Sequence, residues 1–394
     1  MSMALGALGI DLMLPAFDAM RADLGLAADS NAIAATITTY FIGLALGTLI
    51  YGPLADRFGR RPALFTGFAI YAVGALASAL APSLEVLLFT RFVWGIGAAS
   101  SRVVAFAIIR DAYEGEEMSR AMSLVMAVFI LVPIVAPTIG AGIVAVTSWR
   151  WVFGACVLAV AGLAAWATRM PETLHEEYRM DSSFSRLAEA ARQVVSNRIT
   201  VSYALAMTAL YAILISYLGS AEIIFSRTFD QARNFPYIFG GLASVMGVAM
   251  VVNARIVRRI GTRRIAHGVL AFYMVGAVGL AVLAAATGGR PPLAVFLVGL
   301  AVMFGSHALL VPNLNSIAMQ PMAEVAGTAS SITGALQTGL GALLAAVVDR
   351  AFNGTVTPLC LAFAGYGAVA LLLILWAEKG RLGRSGSEVE RHGA

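Results

Sequence analysis

The chain has 394 residues, of which 59% are hydrophobic and only 12% are charged, whereas an ordinary soluble protein has about 25% charged residues. A soluble fold cannot bury that much apolar surface, so the composition excludes a soluble enzyme and predicts a protein that lies in a lipid bilayer. The formal net charge of +5 does not indicate nucleic-acid binding, because the basic residues are spread over short loops.

Apolar segments separated by turns and charges predict twelve membrane-spanning helices. We place these helices at 2–21, 31–53, 63–81, 84–109, 119–145, 150–168, 199–221, 234–256, 264–286, 292–317, 324–348 and 356–377. The first helix lacks the basic leader and the cleavage site of a secretory signal, so we expect it to be retained. It begins so close to Met1 that we also expect a short leader upstream of it.

The distribution of basic residues predicts that both termini are cytoplasmic. With twelve crossings the termini share one side of the membrane, and nineteen of the 27 lysines and arginines fall on that side. Only six fall on the other side, and the remaining two lie inside the fourth helix. Short cytoplasmic loops carry an excess of basic residues, which fixes this orientation.

The longest polar segment divides the predicted helices into two sets of six. Within that segment, residues 184–195 have the apolar spacing of a short amphipathic surface helix, with a disordered linker as the alternative. The loop GPLADRFGRRP at 52–62 is echoed by ARIVRRIGTRR at 254–264, which indicates an internal repeat. We therefore predict an N-terminal bundle, a cytoplasmic linker, a C-terminal bundle and a cytoplasmic tail at 1–169, 170–198, 199–377 and 378–394.

Asp11 lies near the middle of the first predicted helix, in the segment GIDLMLPAF at 9–17. A carboxylate inside a bilayer is costly unless it is protonated or paired. Asp11 is therefore the candidate proton carrier. A permanent ion pair with an arginine of the fourth helix and a simple interfacial position are the alternatives.

The loop after the second helix combines glycines, which allow a tight turn, with charges that can form a relay against the helix ends. In the second copy of this loop Arg258 stands in the place of Asp56, so the repeat is imperfect. The arginines could also serve only to fix topology, but that function does not explain Asp56. The candidate residues of this loop are Gly52, Asp56, Arg57, Gly59, Arg60 and Arg61.

The fourth helix carries two arginines inside the bilayer, Arg91 and Arg102. A buried guanidinium is costly and usually faces a wet cavity or a partner. Eleven residues make about three helical turns, so both side chains share a face and could line one cavity. The alternative for Arg102 is that its head group extends to the cytoplasmic interface.

The fifth helix contains the segment LVPIVAPTIGAG at 131–142. Pro133 and Pro137 remove backbone donors and bend the helix, while Gly140 and Gly142 permit close helix contact. Prolines and glycines are common in membrane helices, so a purely generic role is the alternative.

The C-terminal half offers fewer polar candidates inside the helices. His307, Asn313 and Gln337 are the candidate residues of a substrate cavity. His307 can titrate near neutral pH, although a lone membrane histidine is more often a packed hydrogen-bonding residue. Glu222, near the outer end of the seventh helix, contacts substrate or is merely solvated.

Together these segments resemble the major facilitator superfamily, in particular its drug:proton antiporters of the Bcr/CflA (bicyclomycin-resistance) type. The stretch at 52–62 is similar to the family's loop between helices 2 and 3, and RFVWGIGAA at 91–99 is similar to its helix-4 motif. The stretches at 131–142 and 9–17 are similar to its helix-5 antiporter motif and its helix-1 D-x-x-L-P motif. Trp94 departs from the pattern, because a glutamine is frequent at that position.

The resemblance implies an all-α membrane fold with two pseudo-repeated six-helix bundles. It implies proton coupling through Asp11 and Arg91, and a loop that latches the outward-facing state. Through the helix-5 motif, it favours export over uptake.

We therefore expect a proton-coupled antiporter that exports drugs or related metabolites across a bacterial plasma membrane by alternating access. Proton-coupled uptake or facilitated transport of a metabolite is the alternative. The resemblance also implies a monomer. We expect no catalytic residues, metal or cofactor, since the sequence has no phosphate-binding loop and its two cysteines lack ligand spacing. A membrane enzyme or a channel fits the few intramembrane carboxylates and the repeated halves less well.

Overall fold

The computed structural model describes residues 2–113, 115–174 and 184–382. In those residues the chain forms fourteen α-helices joined by short turns, which confirms the all-helical prediction. Part of the predicted linker, 175–183, and most of the predicted tail, 383–394, lie outside the described residues.

The helices follow one another with few residues between them. In chain order they are α1 (Ala4–Asp11), α2 (Phe17–Asp23), α3 (Ala35–Phe58), α4 (Arg60–Ala79), α5 (Leu84–Ala112), α6 (Gly115–Val146), α7 (Arg150–Ala167), α8 (Phe184–Ser196), α9 (Arg198–Ile223), α10 (Phe235–Ile260), α11 (Thr262–Ala286), α12 (Leu293–Met319), α13 (Ala326–Arg350) and α14 (Thr357–Ala377).

Among the described residues, ten helical segments are long and apolar enough to cross a membrane. They contain α3, α4, α5, α7 and α9 to α14. The described apolar part of α6 is the shorter stretch Leu131–Val146. The remaining predicted span, the first, is divided between α1 and α2.

The prediction of one continuous first helix is wrong, because the helix changes its hydrogen-bonding pattern after Asp11. The Met13 amide donates to the Ile10 carbonyl at 3.2 Å, one residue short of the α-helical acceptor, Gly9. A 3₁₀ turn follows, and it contains Pro15, which has no amide hydrogen. The interruption leaves the Gly9 carbonyl free of its usual helical donor.

The chain divides into two compact units. The first comprises Met1–Leu187 together with Leu218–Glu222 and Ala232–Gly240, and the second comprises Ala188–Tyr217, Ile223–Gln231 and Gly241–Ala394. In the first unit, α5 packs between α3 and α4, and α7 packs on α4. In the second unit, α11 packs against α12 and α14.

Glycines set the packing of α5 in the first unit. A Cβ atom at Gly95 would lie 2.1 Å from the Tyr40 carbonyl oxygen on α3, and one at Gly97 would lie 2.3 Å from the Tyr71 amide on α4. Neither position can therefore carry a side chain. Close backbone approach of this kind stabilises helix pairs in membranes, where the hydrophobic effect between helices is absent.

The linker helix α8 packs on the second unit. Val194 is buried in a small apolar cluster with Met322 and Ala329. This contact favours the predicted helix over a disordered linker for the described part of that segment.

Candidate functional site

Arg91 lies in a pocket of aromatic side chains in the first unit. Its guanidinium carbon lies 4.4 Å from the ring centroid of Tyr40, 4.6 Å from that of Trp94 and 5.9 Å from that of Phe153. We call these three rings the aromatic pocket. Arg91 is fully buried, so the ring faces replace part of the hydration that the cation has lost.

The donors of Arg91 are directed at backbone oxygens. Its Nη1 donates to the Gly9 carbonyl at 2.9 Å, and its Nε donates to the Thr36 carbonyl at 3.3 Å. Nη2 is buried without a hydrogen-bond partner among the described residues. Arg91 therefore binds the carbonyl that the interruption of the first helix releases.

Two tyrosines hold α1 in the same way. The Tyr40 hydroxyl donates to the Gly6 carbonyl and the Tyr71 hydroxyl donates to the Leu5 carbonyl, each at 3.0 Å. Side chains from α3, α4 and α5 thus bind three carbonyls of α1. Gly9 on α1 is also closely packed, since a Cβ atom there would lie 3.1 Å from the Tyr40 hydroxyl oxygen.

Trp94, at the position where a glutamine is frequent, packs against three other aromatic rings. The indole packs edge-to-face on Tyr40, Tyr71 and Phe153, with ring centroids 5.3 to 6.0 Å apart. It thereby forms one wall of the aromatic pocket. A glutamine has no ring face to pack on the guanidinium of Arg91.

Asp11 is the last residue of α1 and is only 4% exposed. Within the described part of the chain, neither an ion pair nor a hydrogen bond reaches its carboxylate. The structure thus places Asp11 two residues from the Arg91 acceptor Gly9 without pairing the two charges. The alternative of a fixed ion pair with Arg91 does not describe this state.

The helix-5 motif contacts the same interruption. A Cβ atom at Gly140 on α6 would lie 2.0 Å from the Leu12 carbonyl oxygen, next to Asp11. Gly142 has nothing within 4 Å of the corresponding point, and Pro137 is buried while Pro133 is partly exposed. Of the four predicted residues of this motif, Gly140 makes the close contact with the first helix.

The segment 52–62 was predicted to be a loop, but the structure places all of it except Gly59 in the last turns of α3 and the first turn of α4. The segment forms an ionic network centred on Arg60. Its Nη1 lies 2.5 Å from the Asp56 carboxylate, and its Nε lies 2.7 Å from the carboxylate of Asp111 at the end of α5. Arg61 donates to the Thr168 carbonyl at 3.1 Å, and Arg57 is exposed over the Phe58 ring. Gly52 has open space around it.

Sequence reasoning missed Glu172, the residue that closes this network. Its carboxylate accepts backbone hydrogen bonds from Arg60, Arg61, Thr173 and Leu174 at 2.8 to 3.0 Å. Burial raises the pKa of Glu172, but the four amide donors outweigh that effect and hold the pKa below its ordinary value.

Gly59 is required at this turn for two reasons. Its φ of 103° is a conformation that residues with a side chain rarely adopt. A Cβ atom there would also lie 2.5 Å from the Glu172 carboxylate. The Pro-Glu-Thr sequence at 171–173, just after α7, was the signal for this cap.

The second copy of the loop has different partners. Gly261 repeats the positive φ of Gly59, at 88°. Arg263 pairs with Glu378 at 2.5 Å, and the Tyr203 hydroxyl bridges Glu378 and His267 at 2.7 and 2.9 Å. The substitution at Arg258 therefore accompanies a different ionic network and not the loss of one.

The structure does not gather the predicted substrate residues into the aromatic pocket. Arg102 is exposed, whereas Arg91 is buried. In the second unit His307 is buried, Gln337 is partly exposed, and the Asn313 amide donates to the Asn253 side chain at 2.7 Å. Asn253 was not identified from the sequence.

A further pair of charges that the sequence did not reveal lies in the first unit. Arg21, which is 1% exposed, forms an ion pair with Glu222 and a second with Asp18 at 2.6 Å. Glu222 is therefore neither solvated nor free for substrate in this state. Nearby, Arg150 and Trp149 donate to Asp23 and hold the pKa of that carboxyl below its ordinary value.

Metal coordination has no support in the described residues, where no group of three or more His, Cys, Asp or Glu side chains could hold a metal ion.

Both the sequence and the architecture match known proteins. The family model described as Major Facilitator Superfamily matches residues 1–346. A bicyclomycin resistance protein homolog from Haemophilus influenzae is 27% identical over 371 residues, which are 93% of this chain and 91% of that protein. A chloramphenicol resistance protein from Pseudomonas aeruginosa is 30% identical over 375 residues, 91% of this chain and 85% of that protein.

A solved structure with a similar fold is the crystal structure of a D-xylose-proton symporter. It matches with a TM-score of 0.75 over 97% of this chain and 98% of that chain, at 14% identity. At that identity the likeness concerns the fold alone. The family match, the relatives and the fold agree, and the chain belongs to the major facilitator superfamily and is a transporter, not an enzyme.

Proposed function

We propose that this transporter exports small organic molecules in exchange for protons, by alternating access. The names of the relatives, which concern resistance to bicyclomycin and to chloramphenicol, support drug-like substrates. The contact of Gly140 with the first helix supports a direct connection between the antiporter motif and the proton site.

The observation that carries the proposal is the state of Asp11. It is a buried carboxylate in a helix of the membrane region, and no described residue pairs with it. It also ends α1, where the helix dipole disfavours a negative charge. Such a group is stable when it holds a proton, so this state corresponds to protonated Asp11.

Arg91 then acts differently from the partner that the sequence suggested. Its Nη1 and Nε donate to the Gly9 and Thr36 carbonyls, and its guanidinium lies against the aromatic pocket and not against a carboxylate. In our proposal, substrate arriving from the cytoplasm displaces the proton from the Asp11 carboxyl oxygen, and the proton leaves to the cytoplasm. The ionised carboxylate no longer suits its present position, and the first helix shifts at its interruption. A proton from outside then restores the neutral carboxyl and releases the substrate.

The proposed orientation rests on the distribution of basic residues, and the proposed membrane rests on the relatives. The excess of lysine and arginine on the side of the termini supports cytoplasmic termini in a twelve-span arrangement. Bacterial relatives support a bacterial plasma membrane. We infer that the protein works as a monomer, with the substrate and protons as its partners in the bilayer.

The test is substrate-driven proton movement in inverted membrane vesicles, with chloramphenicol and bicyclomycin as the first compounds. The native protein and Asp11→Asn are compared, with Asp29→Asn as the matched control because Asp29 is exposed. We expect a compound to discharge the pH gradient with the native protein and the control, but not with Asp11→Asn. Equal activity of Asp11→Asn would remove Asp11 as the carrier, and discharge that requires substrate on the opposite side would indicate uptake.

A further inference from the structure

An apolar groove runs along the surface of the second unit between α10, α11 and α12. Its volume is about 520 Å³, and the side chains that line it belong to membrane-spanning helices. Val248 and Phe272 in its walls are 64% and 59% exposed. Further lining residues are Val245, Val252, Val302 and Gly305.

The groove continues into a pair of arginines on the same helix face. Val245, Val248, Val252, Arg255 and Arg259 are three or four residues apart in turn, the spacing that places side chains on one side of a helix. With a rise of about 1.5 Å per residue, Arg255 lies about 5 Å beyond Val252 along the α10 axis. The apolar groove therefore ends at two positively charged side chains.

Both arginines are exposed and available to a ligand. Neither Arg255 nor Arg259 has an ion pair or hydrogen bond with any residue that the structure describes. Arg258 and Arg264 add two more exposed positive charges at the same helix ends. This end of α10 is thus a cationic surface adjoining a hydrocarbon-lined groove.

We propose that this groove is a binding site for an anionic phospholipid. One acyl chain occupies the apolar part between Val245 and Val252, and the headgroup phosphate binds Arg255 and Arg259. The inference rests on the proposed orientation, which places the arginine end of α10 at the cytoplasmic interface. Anionic lipids of that leaflet attract basic residues near the membrane surface by about 1 kcal/mol each, which for two arginines is a preference of at least tenfold.

The chemistry favours a lipid over other occupants. A soluble phosphate compound would use the arginines but not the groove. A zwitterionic lipid would use the groove but would gain little from two cations. Only a ligand with both a hydrocarbon chain and an anionic head uses all of the surface.

The experiment is native mass spectrometry of the full chain in detergent, titrated with dioleoyl phosphatidylglycerol, with dioleoyl phosphatidylcholine or with glycerol phosphate. We expect phosphatidylglycerol to bind about tenfold more tightly than phosphatidylcholine, and glycerol phosphate not to bind. The measurement needs no transport, so it can fail while the antiport proposal stands, and the reverse.

Matched variants separate the head and the chain. The double variant Arg255→Gln/Arg259→Gln is expected to bind both lipids equally, whereas Arg381→Gln, at an exposed position beyond α14, is expected to keep the preference. Gly305→Leu fills the groove and is expected to lose both lipids. Gly365→Leu is its control, since Gly365 is exposed with nothing within 4 Å of an added Cβ.

Val248→Phe provides a second way to fill the groove at an exposed position, should Gly305→Leu fail to fold. Equal binding of the two lipids to the native chain would overturn the proposal. So would an undiminished preference in the double arginine variant, or undiminished binding in a folded groove-filling variant. Displacement of bound phosphatidylglycerol by chloramphenicol would also overturn it, by identifying the groove as a route for substrate.

Discussion

The guanidinium of Arg91 donates to the carbonyl oxygen of Gly9 at 2.9 Å and leaves the Asp11 carboxylate, two residues further along, unpaired. The cation therefore fixes the end of α1 through its backbone and does not pair with the candidate proton carrier. The relationship joins the two residues of the predicted coupling pair without an ion pair between them.

Replacing Arg91 by leucine should destabilise the first unit. The Gly9 and Thr36 carbonyls would lose their donors, and two hydrogen bonds from a charged group contribute about 3 to 6 kcal/mol together. Leucine also removes the cost of burying the cation, so we expect a net loss of roughly 2 to 4 kcal/mol. Arg91→Lys should recover only part of the lost stability, because an ammonium lacks the planar arrangement of donors that a guanidinium has. Unfolding in detergent measures the change, with exposed Arg102→Leu as the control. An equal loss of stability in the two leucine variants would show that the Arg91 hydrogen bonds do not stabilise the first unit.

Gly140→Ala should abolish transport while Gly142→Ala should retain it. The added Cβ of Gly140→Ala would lie 2.0 Å from the Leu12 carbonyl oxygen, so the first helix must move, whereas the one at Gly142 meets nothing within 4 Å. Vesicle transport assays on the two variants, matched for the amount of protein in the membrane, decide the matter. Equal transport by both would show that the close contact has no function.

Glu172 should confer a pH-dependent stability. Because its folded-state pKa lies below the ordinary value of 4.5, its contribution is present above that value and is lost as the pH falls through the folded-state pKa. The Glu172→Gln variant lacks the charge, so the native protein should lose stability relative to it below about pH 4.5.

Unfolding temperatures measured in detergent between pH 3 and pH 7 provide the check on Glu172. The two proteins should differ most near neutral pH and converge in acid. Glu189→Gln, a substitution on the linker helix at an exposed position, is the control that should follow the native curve. A constant difference across the pH range would indicate that the Glu172 charge contributes nothing.

Glu222→Gln should cost more stability than Asp18→Asn. Both carboxylates pair with buried Arg21, but the Glu222 side chain is 6% exposed and that of Asp18 is 46% exposed. Removing the buried partner leaves a buried cation with less compensation, for which we expect a loss of about 2 kcal/mol, against less than about 1 kcal/mol for the exposed pair. Thermal unfolding of the two variants compares them directly, and a larger effect of Asp18→Asn would reverse the assignment.

Much of the fold could be predicted from the sequence because membrane helices obey simple rules. Apolar length identified the positions of the ten described helical segments that are long and apolar enough to cross a membrane. The interruption of the first helix was missed, although the sequence contains Pro15 at this point, because hydropathy does not detect a local change of hydrogen-bonding pattern. The presence of Pro15 alone does not say where the helix breaks.

The candidate site was predicted less completely. Asp11, Arg91 and Gly140 were identified individually, but their arrangement depends on which carbonyl the guanidinium reaches. The partners Asp111 and Glu172 were missed, since both belong to segments distant in sequence from the loop that they bind. A sequence motif identifies the residues that belong to it, whereas the residues that bind them are determined by tertiary contacts.

The glycine contacts of α5 have a mechanical consequence. Because Gly95 and Gly97 bring its backbone against the backbones of α3 and α4, these three helices can neither slide nor roll past one another without a steric collision. They form a stiff block to which α1 is attached through hydrogen bonds from Tyr40, Tyr71 and Arg91. In our proposal, ionisation of Asp11 displaces α1 relative to this block. That displacement would be taken up at the interruption of the first helix, where the hydrogen-bonding pattern changes next to Asp11.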